Sequence, residues 1–356
     1  TRHDPGQKLY KITTLSGRTV TVPESKSLLI WDNEKRVFEE RLTEEITLNS
    51  YVPVSEYLCK PPAELDFVDM TTYLPKQEYI YGTDFHKATS MMNDAMNERN
   101  HIPNGWWNEH NGKSFTLPYS KKSSLQRTMT RSNTYNIQIG CVYPYHAKRS
   151  VAHIPDKFEL NEENGIFIGL FLAEGNVNRE HVYITNNNEN IRNFVKSWFT
   201  KHSITFSEKE RINKIGGKTT SIVGNSAVLA YFLNKFVGHG AQNKYVPNEA
   251  FVSNRSFIIG LLNGYYSGDG YVSKNSIDVG SASKRLIEGI VILCNRIGVF
   301  GKMSVSQLKQ NNLGTKNIKP FYRFRFSAQW GKVFCENVNL IEENKQQKMK
   351  QMKWRN

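Results

Sequence analysis

From residue 160 onward the spacing of apolar positions changes period several times, and the changes occur twice in the same order. Gly165 to Gly175 is almost wholly apolar and rich in small residues, which predicts a buried helix ending in an acid. His181 to Thr185 alternates as a strand does, and Glu189 to His202 carries apolar residues at helical spacing. Strand-like stretches follow at Ile204 to Arg211 and Lys218 to Val223, then a helix from about Ser226 to Phe236. The second copy begins near Ser256. It has an apolar helix (Phe257 to Ser267), a strand (Ser276 to Gly280) and an amphipathic helix (Lys284 to Ile297). Strands at Lys302 to Leu308 and Pro320 to Ser327 and a helix near Trp330 to Val338 complete it. A repeated unit in one chain predicts a pseudo-twofold domain, and strands grouped with helices without regular βα alternation place it in the α+β class.

Upstream the pattern is shorter. Leu9 to Leu15 and Arg18 to Val22 alternate around a Ser16-Gly17 turn signal, Ser27 to Trp31 reads as a further strand, and Asp32 to Lys35 as a turn. Residues 59–150 are mixed and rich in Tyr, Asn, His and Lys, with helical spacing from Thr83 to Arg99. The expected division is a mostly β region at 1–58, a linking or extra recognition region at 59–155, and the two repeats at 156–253 and 254–356.

Charge adds a partner. Lys and Arg number 47 against 33 Asp and Glu, a formal charge of +14, which attracts polyanions, nucleic acid foremost. No apolar run is long enough to span a bilayer, and the first residues do not form a signal peptide. Cys59, Cys141, Cys294 and Cys335 lie far apart without a CxxC pair, which argues against a zinc site or disulfide framework and fits a reducing, intracellular setting.

The chemistry concentrates at the ends of the two apolar helices. Phe167-Ile168-Gly169-Leu170-Phe171-Leu172-Ala173-Glu174-Gly175 aligns without gaps on Leu262-Asn263-Gly264-Tyr265-Tyr266-Ser267-Gly268-Asp269-Gly270. Gly169 with Ala173, and Gly264 with Gly268, form one stripe per helix, along which two helix backbones can approach. Glu174 and Asp269 each stand at a helix C-terminus, where the helix dipole disfavours a carboxylate unless a cation compensates. Packing the stripes together brings both acids to one point, a binding place for Mg²⁺ near DNA phosphates.

The paired motifs resemble the LAGLIDADG homing endonucleases, over roughly residues 160–350. The resemblance implies a double-strand DNA endonuclease with DNA-binding saddle sheets. Glu174 and Asp269, with the adjoining Gly175 and Gly270, would hold Mg²⁺, for which Mn²⁺ could substitute. The first motif has Glu where many members have Asp. Asn243-Lys244-Tyr245-Val246-Pro247 resembles the Lys-x-Ile-Pro block of intein endonucleases, and Lys345 lies at a matching place in the second copy. By resemblance these lysines flank the scissile phosphates, with Lys348 the nearest rival to Lys345. A chain with both copies is expected to act as a monomer.

Alternation within the strands gives candidate DNA contacts. Lys302, Ser304 and Ser306 point away from Met303 and Val305, and Arg323 and Arg325 alternate with Tyr322, Phe324 and Phe326. Tyr183 and Thr185 alternate with Val182 and Ile184. Asn176, Asn178, Lys209, Arg211, Lys218, Ser273, Lys274 and Ser276 join them as expected contacts, and Lys121 and Lys122 extend the surface.

Gly17 to Leu29 resembles the intein region that ends in a Thr-x-x-His block, with Lys26 where the histidine would stand, and Asn49 to Val54 resembles the strand that follows. Lysine cannot assist the first acyl shift as imidazole does. Residue 1 is Thr and the chain ends in Arg355-Asn356, without the splicing nucleophiles or a His-Asn pair. The region is therefore expected to be an intein remnant that does not self-splice. Two alternatives stay open: a catalytically silent, maturase-like nucleic-acid binder, and a fragment of a protein-splicing element.

Overall fold

The computed structural model describes residues 6–118, 137–144, 153–212, 216–308 and 319–353. Two hairpins come first, β1 (Leu9–Thr13) with β2 (Thr19–Pro23), and β3 (Ser27–Asp32) with β4 (Val37–Leu42). Then come β5 (Phe67–Asp69), β6 (Tyr79–Tyr81), α1 (Gly82–Arg99), α2 (Trp106–His110), β7 (Cys141–Pro144), β8 (Ile154–Pro155) and β9 (Lys157–Glu159). The first repeat contains α3 (Glu162–Glu174), β10 (Gly175–Val177), β11 (His181–Thr185), α4 (Glu189–Lys201), β12 (Phe206–Ile212), β13 (Lys218–Asn225), α5 (Ala227–Phe236) and the short α6 (Asn248–Phe251). The second contains α7 (Arg255–Asp269), β14 (Tyr271–Val272), β15 (Ser276–Ser281), α8 (Lys284–Arg296), β16 (Lys302–Leu308), β17 (Lys319–Ser327) and α9 (Ala328–Asn337), and α10 (Glu343–Lys350) follows.

The repeat is visible in the strand order. Each copy has a four-stranded antiparallel sheet, β10-β11-β13-β12 and β14-β15-β17-β16, with the same connectivity. The sequence pattern does not show β10 and β14, which at three and two residues are too short to alternate. Nor does it show β4, whose residues stay largely exposed.

By contacts the chain forms two compact units. One holds 61–269 with 338–347, and the other holds 1–60, 270–337 and 348–356. The boundary expected between the repeats at 253/254 falls inside the first unit, because α7 packs along α3. A Cβ on Gly169 would lie 2.2 Å from the Leu261 carbonyl oxygen, and one on Gly264 2.1 Å from that of Ile166. Gly165 and Gly260 meet Phe257 and Glu162 backbone oxygens in the same way, extending the small-residue stripe one turn beyond its legible part. Trp198 of α4 stacks on Phe167 at 3.6 Å and donates its indole N–H to buried Asn164, fixing α4 against α3.

Residues 61–160 are more than a linker. β6, β7 and β8 form a sheet, and Ile80, Phe85, Met92, Trp106, Phe115 and Tyr143 bury one another beside it. Lys121, Lys122, Arg127, Arg131, Lys148 and Arg149 lie outside the described residues. In the other unit, α8 and α9 back the second sheet through Phe324, Phe326 and Phe334. The β1–β2 hairpin is fastened to this repeat. The Arg18 guanidinium lies 4.0 Å over the Phe300 ring and donates to the Gly301 carbonyl and Asn295 Oδ1, and Met303 N–H donates to the Ser16 carbonyl. Among the described residues no helix is long and apolar enough to cross a membrane.

Candidate active site

α3 ends at Glu174 and α7 at Asp269, so both acids occupy the helix C-termini read from the sequence. Gly175 does not cap α3 in the left-handed region. Its φ of −82° and ψ of 152° are extended, and it opens β10 directly. Its missing side chain matters for space, since a Cβ would meet the Phe171 ring at 2.3 Å. The helix ends abut: a Cβ on Gly268 would lie 2.5 Å from Ala173 Cβ and 3.3 Å from Glu174 Cγ, one residue before Asp269.

Burial raises Glu174 above the ordinary carboxylate range, and the Lys244 and Lys345 charges oppose the shift. Asp269 is pushed up to about 7 by burial and by the Glu174 charge, again against both lysines. Asp269 also presents area to solvent, and burial and the Glu174 charge both raise it. Asn186, which sequence reasoning missed, points its amide at Glu174 Oε1 at 3.5 Å. The Asn186-Asn187-Asn188 run after β11 was its only signal: Asn187 accepts from Thr220 N–H, and Asn188 caps α4.

The two lysines do matching work. The buried Lys244 ammonium donates to the Phe171 and Leu172 carbonyls at 2.7 and 3.0 Å, the last turn of α3. Lys345 donates to the Ser267 and Gly268 carbonyls, both at 2.7 Å, and to Tyr266 at 3.3 Å, the last turn of α7. Each cation satisfies orphan carbonyls and offsets the negative helix end that carries an acid. Burial lowers Lys244 to about 8, against the raising effect of Asp269 and Glu174. Lys348 is exposed on α10.

Lys345 is held in place by residues that motif reading passed over. Buried Asn263 and Ser267 of α7 both accept from the Ile341 N–H at 3.0 Å. The next residue, buried Glu342, caps α10 by accepting from Asn344 and Lys345 N–H and takes the Asn188 amide at 2.9 Å. Among the described residues no three His, Cys, Asp or Glu side chains gather as a metal cluster. The donor set is two carboxylates whose like charges oppose each other. That suits a hard divalent cation that completes its shell with water and phosphate oxygens.

The first sheet presents one polar face. Cross-strand register puts Asn176 opposite Tyr183, Thr185 opposite Ser221, and Ser221 opposite Lys209. With Asn178, Arg211 and Val223 these residues line a concavity of about 260 Å³. Six of its eight lining residues are those expected from the sequence; Ser221 and Val223 are additions. Lys218 falls on the other face, because Arg211 pairs with Thr219 and Ile212 with Lys218. It meets Glu210 at 2.6 Å, while Arg192 and Lys196 neutralise Glu208 on that side. Alternation along β12 thus sends the acids to one face and Lys209 and Arg211 to the other.

In the second sheet Lys302, Arg325 and Asp278 form one cross-strand row, and Ser304, Arg323 and Gly280 the next. Phe324 and Phe326 are buried on the opposite side, as is Met303, but Val305 is 62% exposed rather than part of an apolar back. It lies at the middle of β16, the edge strand of this sheet. Ser273 and Ser276 bond each other across the β14–β15 turn, and Lys274 is exposed within it.

Against known proteins, the second repeat decides the comparison. Residues 256–338 match the LAGLIDADG-like domain. The LAGLIDADG-like part thus runs from α7 through the second sheet to α9. Among curated proteins, the chain is 31% identical over 201 residues to a DNA-directed RNA polymerase subunit of Methanocaldococcus jannaschii, covering 56% of the chain and 22% of that protein. It is 27% identical over 303 residues to a probable translation initiation factor of the same organism, covering 76% and 25%. A Thermococcus kodakarensis ATP-dependent DNA helicase is 29% identical over 208 residues, covering 54% and 17%. The chain thus spans a quarter or less of the curated relatives it matches. Solved structures similar to it include the homing endonuclease I-DmoI, with a TM-score of 0.39 at 12% identity over 50% of this chain and 96% of that one. The N-terminal LAGLIDADG domain of DUF199/WhiA gives 0.37 at 12%, over 51% and 84%.

Proposed function

We propose that the chain is a site-specific endonuclease that hydrolyses both strands of double-stranded DNA with Mg²⁺, using Glu174 and Asp269. The observation that carries this reading is the meeting of two carboxylates at the abutting, lysine-capped ends of α3 and α7. The acids would hold the cation, which when bound supplies charge to activate water and to stabilise the leaving oxygen. Asn186 orients Glu174, and Lys244 and Lys345 fix the helix ends and hold positive charge beside the scissile phosphates. The polar faces of the two sheets each supply cations and hydroxyls for DNA.

The relatives bear on where such an enzyme resides. A polymerase subunit, a translation factor and a helicase have unlike names, yet each shares a segment with this chain that is a minor part of its length. A segment shared by otherwise dissimilar proteins behaves as an inserted element with a role of its own. That supports an intein-type origin, with 1–58 the remnant of a splicing domain and Lys26, exposed between β2 and β3, in the histidine's place.

One observation favours a second reading, a DNA-binding module without catalysis: both lysine ammonium groups already serve backbone carbonyls. The deciding experiment is digestion of a genomic or randomised DNA library with Mg²⁺ by the wild type, Glu174→Gln and Asp269→Asn. Discrete double-strand cuts, reduced to nicks or lost in both variants, support the endonuclease. Binding without cuts in all three proteins supports the module.

A further inference from the structure

The second sheet contains a charged group that the hydrolytic site does not use. Asp278 is 5% exposed, although it lies on the sheet's polar face. Its Oδ2 accepts from Arg325 Nε at 3.2 Å and Nη2 at 3.0 Å, and its Oδ1 lies 3.8 Å from Arg323 Nε. Lys302 stands across from Arg325 on the next strand. Two arginines therefore share one buried acid, with Lys302 one strand further out, and the Arg325 side chain remains 54% exposed.

Asp278 is a poor choice if the face only attracts phosphate, since it cancels part of the charge. Its value is orientation. A guanidinium held through Nε and one hydrogen of Nη2 cannot rotate freely. Its remaining edge keeps one N–H on each Nη pointing in a common direction, the fork that meets two acceptors side by side. In duplex DNA the matching pair of acceptors is O6 and N7 of guanine in the major groove. Arg323 shares the carboxylate only at longer range and has no comparable two-point hold.

We propose that Asp278 is a specificity-determining positioning residue: it presets Arg325 to read a guanine, making one base pair of the recognition site strictly G·C. The inference rests on the endonuclease reading only in taking duplex DNA as the ligand. It does not need the chain to cut.

The test is selection of a randomised duplex library by the full chain without divalent cation, comparing the wild type, Asp278→Asn and Arg325→Lys. The wild type should show a position with strong guanine preference. Both variants should lose that preference by roughly tenfold at the same position, with preferences elsewhere unchanged. Asp278→Asn should bind the library as tightly as the wild type or tighter, because it removes a negative charge. Arg325→Lys, on an exposed side chain, keeps the charge and tests the same position even if Asp278→Asn folds poorly. Unchanged guanine preference in either folded variant overturns the proposal, as does a uniform loss across all positions. Wild-type binding without any sequence preference overturns it too while leaving DNA binding intact. No duplex binding at all removes the DNA reading itself.

Discussion

The acid at position 269 and the lysine at position 244 respond to pH with opposite signs. In the folded chain Asp269 keeps its proton to about 7, against an ordinary value of 3.8. Between those values the folded state binds a proton that the unfolded chain has released, so this group's contribution to stability falls as pH rises across the window. Lys244, lowered from 10.5 to about 8, acts with the opposite sign: its penalty is present below 8 and fades as pH rises toward 10.5. A divalent cation that binds the ionised pair must displace the Asp269 proton below 7. The melting-temperature rise produced by Mg²⁺ should therefore grow from pH 5 to 7 and level off above it, and Asp269→Asn should abolish the growth. A rise independent of pH would remove Asp269 from the ligands. The places of Glu174, Asp269, Lys244 and Lys345 at the helix ends were legible because the repeat put each in a matching position. Asn186, Asn263, Ser267 and Glu342 were not, since what they do depends on partners such as Glu174 and Ile341 brought in by the fold.

At the scale of elements, the α3–α7 contact has no room for a methyl group. At Gly169 and Gly264 an added Cβ meets backbone of the facing helix, which cannot rotate away as a side chain would. Gly169→Ala and Gly264→Ala should each lower stability in urea unfolding by about 1–3 kcal/mol or more, by overpacking. The double variant should fall short of the sum, because both force the same two helices apart. Wild-type midpoints in the variants would mean that the helices can separate without loss. Lys345 makes the same argument for an element's end: Lys345→Met removes three donors from the α7 carbonyls and should cost about 1–2 kcal/mol. Helices and long strands were readable because period and length agree. Lys218 stands on the other face from Lys209 and Arg211 because it pairs with Ile212, a cross-strand register that the sequence does not show. Residues 61–160 yielded only α1, since their core joins Phe85, Trp106 and Tyr143 from distant stretches without a common period.

Across the whole molecule the net charge of +14 sets how binding responds to salt. Contacts to phosphate release counterions, so log K should fall linearly with log salt by about 0.9 per phosphate neutralised. Charge alone does not say which cations contribute, but the sheets do. Lys209 and Arg211 are exposed on the first sheet's polar face, with the strand's acids sent to the other side and neutralised there. Replacing both by Ala should flatten the salt slope by about 2 and weaken binding evenly across sequences, as loss of phosphate contacts does. Arg325 is paired to Asp278 and so carries less free charge to the DNA. Its removal should leave the slope nearly unchanged while relaxing one position. Fluorescence titration of a fixed duplex between 50 and 200 mM salt, roughly the range over which such losses become large, separates the two behaviours. If Lys209 and Arg211 changed sequence preference and Arg325 changed the slope, the roles of the two faces would be reversed: the first sheet would read bases and the second would hold the backbone.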